Sequence, residues 1–173
     1  PPASGESTLS ECTAKVLVTG PAWMGSGIGS IETSLKRLFS DAREEIAITA
    51  YAISNSADPI FEWIEAALMR GVRVKLIYNK QTGKPPALAR LRSLANDYPH
   101  FQVYDFADKK YDLHAKAVVA DHHIAIVGSS NLSVSAMIGN HELAVLVEGP
   151  PASNVAKVID RLLKSGFATR LTP

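Results

Sequence analysis

The sequence predicts a mixed α/β fold, a mixed β-sheet flanked by helices on both faces. Two observations predict it. Up to residue 106, strand-like apolar runs alternate with amphipathic helical runs; from residue 113 to 149 a cluster of strand-like runs follows. That combination argues for layers in which helices pack on a sheet.

Each element has its own local signature. Residues 1–13 are small and polar and read as a flexible N-terminal segment ahead of a single domain, 14–173. AKVLVT (14–19) is a short buried strand, and GPAWMGSGIG (20–29) a glycine-rich loop. SIETSLKRLFSDA (30–42) has helical spacing, with Ile31, Leu35, Leu38 and Phe39 on one face and Ser30 as a cap. EIAITAYAIS (45–54) is a strong strand. ADPIFEWIEAALMRG (57–71) is a helix with Asp58 as N-cap, Pro59 in the first turn and Gly71 as the stop; Phe61 and Trp63 belong to its core side. VRVKLIYN (72–79) is a strand, KQTGKPP (80–86) a loop, ALARLRSLAND (87–97) a helix and FQVYDF (101–106) a strand. LHAKAVVA and HIAIVGS read as two strands joined at Asp121-His122. SVSAMIG is a short helix, HELAVLVEG (141–149) a strand, and PPASNVAKVIDRLLKSGF (150–167) a closing amphipathic helix.

Composition excludes more than it assigns. With 173 residues, 46% hydrophobic and 20% charged, the chain is long enough for a proper core. A net charge of +1 neither demands nor excludes a polyanionic partner. The single cysteine, Cys12, excludes an internal disulfide and a cysteine-based zinc site. No apolar run approaches the roughly 20 residues of a membrane span. No signal-peptide pattern opens the sequence, so a cytoplasmic location is the expectation, although a chain beginning PPASGEST without methionine reads as a processed product or a piece of something longer.

The chemistry concentrates in LHAKAVVADHHIAIVGSSN (113–131), which carries three of the five histidines. On a strand, alternate residues share a face, so His114 and Lys116 become neighbours. A neutral imidazole is nucleophilic near pH 7, and an ammonium is a compact clamp for phosphate oxygens. The Gly128-Ser129-Ser130-Asn131 turn adds a hydroxyl and an amide as donors for a developing oxyanion. Glu142 is expected to orient His114 through its other ring nitrogen. The Asp-His-His at 121–123 lacks further aspartates at metal-ligand spacing and is set aside as a metal site.

HAKAVVAD, with His114, Lys116 and Asp121, resembles the H-x-K-x4-D motif of the phospholipase D superfamily. GSSN follows the aspartate by seven residues, where that family carries its G-S/G-x-N turn, and Glu142 lies eleven residues past Asn131. The upstream YAISNSADPIFEWIEAALMRGVRVKLIYN is similar to the family's first half, so the resemblance spans roughly residues 30 to 165. It implies a phospholipase D/nuclease-like fold and a phosphodiester-transfer site that needs neither cofactor nor metal. His114 would form a phosphohistidine, and a second histidine would protonate the leaving oxygen. Lys116, Asn131 and Ser129 would hold phosphate oxygens, while Asp121 would hydrogen-bond near a strand end.

That mechanism needs two H-x-K strands, and this sequence has one: His100, His122, His123 and His141 are not followed by lysine at the second position. A symmetric homodimer, or a missing part of a longer chain, would supply the other. Single-motif members of the family look like small endonucleases, so a metal-independent nuclease acting on DNA or RNA is the leading expectation. Lys80, Lys84, Arg90 and Arg92, with Lys109 and Lys110 just before the motif, form an expected phosphate-tracking rim. The alternatives are a phospholipase or phosphatidyl transferase, and an inactive nucleic-acid-binding module of the same fold. Other subunits of a defence or restriction system are expected partners for any of the three.

Overall fold

The sheet is built around β3 (Glu45–Ala50), whose six residues are all buried. The structure, a computed structural model, describes residues 11–23, 25–54, 58–131, 133, 136 and 139–171. On one side β3 pairs in parallel with β4 (Arg73–Asn79), and β4 in parallel with β5 (Phe101–Phe106). On the other side come β6 (Ala117–Ala120), β7 (Ile124–Gly128), β8 (Glu142–Glu148) and β1 (Thr13–Thr19), each antiparallel to its neighbour. Short strands β2 (Gly29–Ser30) and β9 (Ala168–Arg170) flank β1 and β5. Among the described residues the order is β2-β1-β8-β7-β6-β3-β4-β5-β9.

Helices cover both faces, as the sequence predicts. Helices α1 (Ile31–Asp41), α2 (Asp58–Met69) and α3 (Pro85–Asp97) lie on one. Their Leu38, Ile64 and Leu91 share a core with Ile48, Leu76 and Val118 of the sheet. Helix α4 (Pro150–Leu163) lies on the other and buries Ala152, Ala156 and Ile159 against Ala47, Ile77 and Val119. Each fully buried Ile or Leu contributes about 1.5–3 kcal/mol, so β3 and β4 form the rigid base of the molecule.

Several boundaries differ from the sequence reading, each for a physical reason. Helix α3 starts at Pro85, because proline fits a helix's first turn, where its missing N–H is not needed. Asp58 is the first residue of α2 rather than a cap before it. The strand expected over 45–54 ends at Ala50; Thr82 Oγ1 then bonds the Tyr51 carbonyl, and Ile53 makes an isolated parallel bridge to Gly83. Thr13 opens β1, whereas residues 1–10 and most of the SVSAMIG segment lie outside the described residues.

The largest difference concerns the motif. The expected strand over LHAKAVVA begins only at Ala117. β6 lies on the far side of β3 from β5, so the chain from 107 to 116 crosses the carboxyl ends of β4 and β3; Ala107 bonds Phe167 at one end and Lys116 bonds Gly128 at the other, and residues 108–115 between them make no described backbone–backbone hydrogen bond. His114 and Lys116 therefore sit on an irregular crossover at a sheet end, not on a strand face.

Asp121 fixes the other end of β6. Asp121 and His122 have φ of 51° and 54°, as the two central residues of a type I′ turn require, and the His123 N–H closes that turn on the Ala120 carbonyl at 3.0 Å. The Asp121 carboxylate accepts from the backbone N–H groups of Arg43, Glu44 and Glu45 at 2.8–2.9 Å, tying the hairpin to the start of β3. Partial burial pushes this carboxyl up, but the three backbone donors outweigh it and hold its pKa below the ordinary value.

Asp121→Ala is expected to lower stability by about 2–3 kcal/mol, the scale of hydrogen bonds to a charged acceptor. The depressed carboxyl stabilises the fold above its unfolded pKa of about 4, and this contribution is lost as pH falls through the folded value. The melting difference from wild type should therefore narrow as acid is added. Unchanged melting at neutral pH with lost turnover would contradict this division of labour.

Candidate active site

The crossover is held at both ends. Leu113 is buried, and the Ala117 N–H donates to Thr49 Oγ1 at 3.1 Å where β6 begins. Between them His114 is exposed and Lys116 half-buried. Lys116 Nζ donates to the His114 carbonyl at 2.8 Å and stands 3.1 Å from His114 Nδ1. The side-by-side placement of His114 and Lys116 expected from the spacing is thus present, although not by strand alternation. A charged ammonium only donates, so Nδ1 accepts and the proton of the neutral ring lies on Nε2. Burial lowers the Lys116 pKa, and the Glu142 carboxylate partly offsets this.

At the ends of β7 and β8 the GSSN turn meets Glu142. Ser129 Oγ donates to Glu142 Oε2 in a short hydrogen bond and accepts from the Leu143 N–H at 3.2 Å. Asn140 Nδ2 reaches the other Glu142 oxygen at 3.4 Å. The hydroxyl proton of Ser129 is already engaged, and the described partners of Glu142 are Ser129 and Asn140 rather than His114. The topology explains it: β8 is two strands away from β6, roughly 10 Å across the sheet. Asn131, by contrast, joins Lys116, Thr49 and Gly128 around a small cavity, and its Oδ1 is buried without a hydrogen-bond partner. Asp121 lies at the opposite end of β6, away from the pair.

The basic rim divides. Lys80 and Lys84 follow β4, and Lys109 and Lys110 lie on the crossover, so all four share the sheet end of His114. Lys80 is also ion-paired to the buried Asp105 at 3.4 Å. Arg90 and Arg92 lie farther along α3, and Arg90 pairs with Glu65 of α2 at 3.4 Å.

One neighbour of the pair went unnoticed in the sequence. The Tyr51 ring lies 4.5 Å from the His114 ring, centre to centre, and 5.3 Å from Lys116 Nζ. Its signal, an aromatic at a strand's carboxyl end, looks like any core residue. The glycine-rich loop also reaches this end: His141 Nε2 accepts from the Ala22 N–H at 3.1 Å, and the Trp23 ring meets His141 edge-on. Gly20 allows this approach, since a Cβ there would lie 2.7 Å from His141 Cδ2. His122 turns away to Glu45, at 3.3 Å. Among the described residues no three His, Cys, Asp or Glu side chains are grouped to hold a metal ion.

A crossover presenting an imidazole beside an ammonium at the end of a mixed sheet defines a PLD-like domain. The sequence family described as "Cardiolipin synthase, PLD-like domain" matches residues 35–164, and the chain belongs to it. DISARM protein DrmC of Bacillus paralicheniformis is 28% identical over 139 residues, 79% of this chain and 58% of the relative. Cardiolipin synthase B of Escherichia coli K12 is 32% identical over 121 residues, 68% of this chain and 28% of the relative. The chain thus spans less than two thirds of the length of these curated relatives. The structure of Nuc, a phospholipase D family member from Salmonella typhimurium, matches 94% of this chain and 100% of its own with a TM-score of 0.75 at 19% identity, which shows the shared fold. Among the described residues no helix is long and apolar enough to cross a membrane.

Gly128 holds the two halves of the site in register. A Cβ there would lie 2.5 Å from Ala144 Cβ and 2.6 Å from the Leu143 carbonyl. Gly128→Ala should separate β7 from β8, destabilise by about 1–3 kcal/mol and displace Ser129 from Glu142. Thermal melting measures this, and an unchanged melting temperature would refute it.

Proposed function

We propose that this chain is a metal-independent nuclease that cleaves DNA or RNA through a phosphohistidine at His114, in a site completed by a second copy. The observation that carries the proposal is the Lys116 ammonium 3.1 Å from a ring nitrogen of His114, at the sheet end that also gathers four lysines. A ring nitrogen of His114 attacks phosphorus, a P–N bond forms, and the bond to the leaving oxygen breaks. The His114 of the second copy donates the proton to that oxygen, then accepts one from the water that hydrolyses the P–N bond. Lys116 leaves Nδ1 for a phosphate oxygen as substrate arrives, and Asn131 offers its amide to the same group.

The second copy has a surface to use. The site end of β7 and β8 carries exposed apolar residues. There Val127, Val145 and Val16 stand in one cross-strand row, and Val127, Val16 and neighbouring Leu143 are exposed by 41%, 50% and 51%. This apolar strip borders the Ser129–Glu142 pair, so an isologous contact over it would bring two sites together. The relationship to a DISARM protein supports a place beside other subunits of a defence system. The 32% identity to a cardiolipin synthase favours phosphatidyl transfer as the second reading.

Incubation with single- and double-stranded DNA and RNA in excess EDTA separates these readings. Cleavage of at least one nucleic acid should persist in EDTA and disappear in His114→Ala. Lys116→Ala should lose about 100- to 1,000-fold in rate while melting normally, the usual scale for removing one preorganised charge donor. Cleavage abolished by EDTA contradicts the metal-free mechanism, and cleavage surviving in His114→Ala contradicts the nucleophile. Turnover of a phosphatidyl substrate with none of nucleic acid selects the second reading.

A further inference from the structure

We infer that Tyr51 is a positioning residue for the reaction: its ring is the platform that holds the His114 imidazole and the Lys116 ammonium in one geometry. The inference rests on the reading of His114 as nucleophile. It starts from a deficit in the fold. Backbone–backbone hydrogen bonds hold Ala107, whose N–H donates to the Phe167 carbonyl, and Lys116, whose carbonyl accepts from the Gly128 N–H, but among the described residues none is made by 108–115, so the bonds that fix a strand residue are missing at His114. Leu113 anchors the backbone just before it, but the exposed ring needs a support of its own.

The ring of Tyr51 is that support. It meets the imidazole at a centroid distance of 4.5 Å and an interplanar angle of 46°, and faces Lys116 Nζ at 5.3 Å. Cation–π attraction draws the ammonium to the same ring face that packs against the imidazole. With one ring contacting both groups, Lys116 is kept beside Nδ1 and the imidazole is kept in one tautomer.

Tyr51 is itself secured from outside the motif. Its carbonyl accepts from Thr82 Oγ1, which also reaches the Asn79 carbonyl at 2.8 Å. Two residues on, Ile53 bridges to Gly83. A Cβ on Gly83 would lie 2.9 Å from the buried Tyr78 ring, so this clamp is packed against the core. The platform is therefore fixed to the ends of β3 and β4, the most deeply buried strands. The contact needs a ring face; the Tyr51 hydroxyl takes no part in the argument.

Tyr51→Phe keeps the ring, and Tyr51→Leu keeps bulk without it. In Tyr51→Leu, kcat on the nucleic acid that wild type cleaves should fall about 10- to 100-fold with KM changed less than about threefold, the scale of a misplaced reacting group. Tyr51→Phe should stay within about threefold of wild type in kcat. Nitrogen-15 NMR of the His114 ring supplies a reading independent of turnover. Wild type and Tyr51→Phe should show a single tautomer with the proton on Nε2, and Tyr51→Leu a mixture of tautomers. An unchanged kcat or an unchanged tautomer in Tyr51→Leu overturns the inference, as does a Tyr51→Phe variant that behaves like Tyr51→Leu. If wild type cleaves no nucleic acid, the proposed function fails, while the NMR comparison still decides whether the ring positions His114.

Discussion

The site depends on one topological constraint: the chain leaving β5 has to reach a strand on the far side of β3. It does so by crossing the carboxyl ends of β4 and β3, and the crossing places His114 and Lys116 above the Tyr51 ring. Everything beneath the crossing is stiff. All six residues of β3 are buried, and Leu76 and Ile77 of β4 are fully enclosed. A mobile-looking connection is thus laid on the least deformable part of the molecule, so few contacts suffice to order it.

The two ends of β6 have separate tasks. At one end Asp121 fastens the hairpin to three backbone N–H groups before β3, and those bonds hold the sheet together rather than touching the reacting groups. At the other end Lys116 sits beside His114, half-buried, with its pKa lowered by burial and partly restored by Glu142. A less hydrated ammonium would give up less water on the transfer to a phosphate oxygen that the proposed reaction requires. The same ammonium stands at Nδ1, so in the proposed reaction the arrival of phosphate and the release of that ring nitrogen would be one event.

Much of the fold was legible because local signals agreed with the global arrangement. Ser30 caps α1 as its position suggests, the apolar faces of α1 and α2 are the buried ones, and the Asp121-His122 turn has the positive φ values such a hairpin needs. His114 and Lys116 were legible as a pair because their spacing survives whether the backbone is strand or not. The true local structure was not legible: LHAKAVVA has strand composition throughout, and only the order of strands in the finished sheet shows that its first three residues have no ladder to join. Tyr51 was hidden for a related reason, since its distance in sequence from His114 conceals their contact. The Ser129–Glu142 bond depends on the register between β7 and β8, which a pattern of apolar residues does not specify by itself.

The central claim is that one chain carries half of a two-histidine site. Mixed dimers test it most directly: wild type and His114→Ala chains are unfolded together, refolded at varying ratios, and assayed at constant total protein. If each turnover uses His114 from both copies, activity follows the square of the wild-type fraction. Activity that falls in simple proportion to the wild-type fraction would mean that one chain suffices, and the account of a shared site would be wrong.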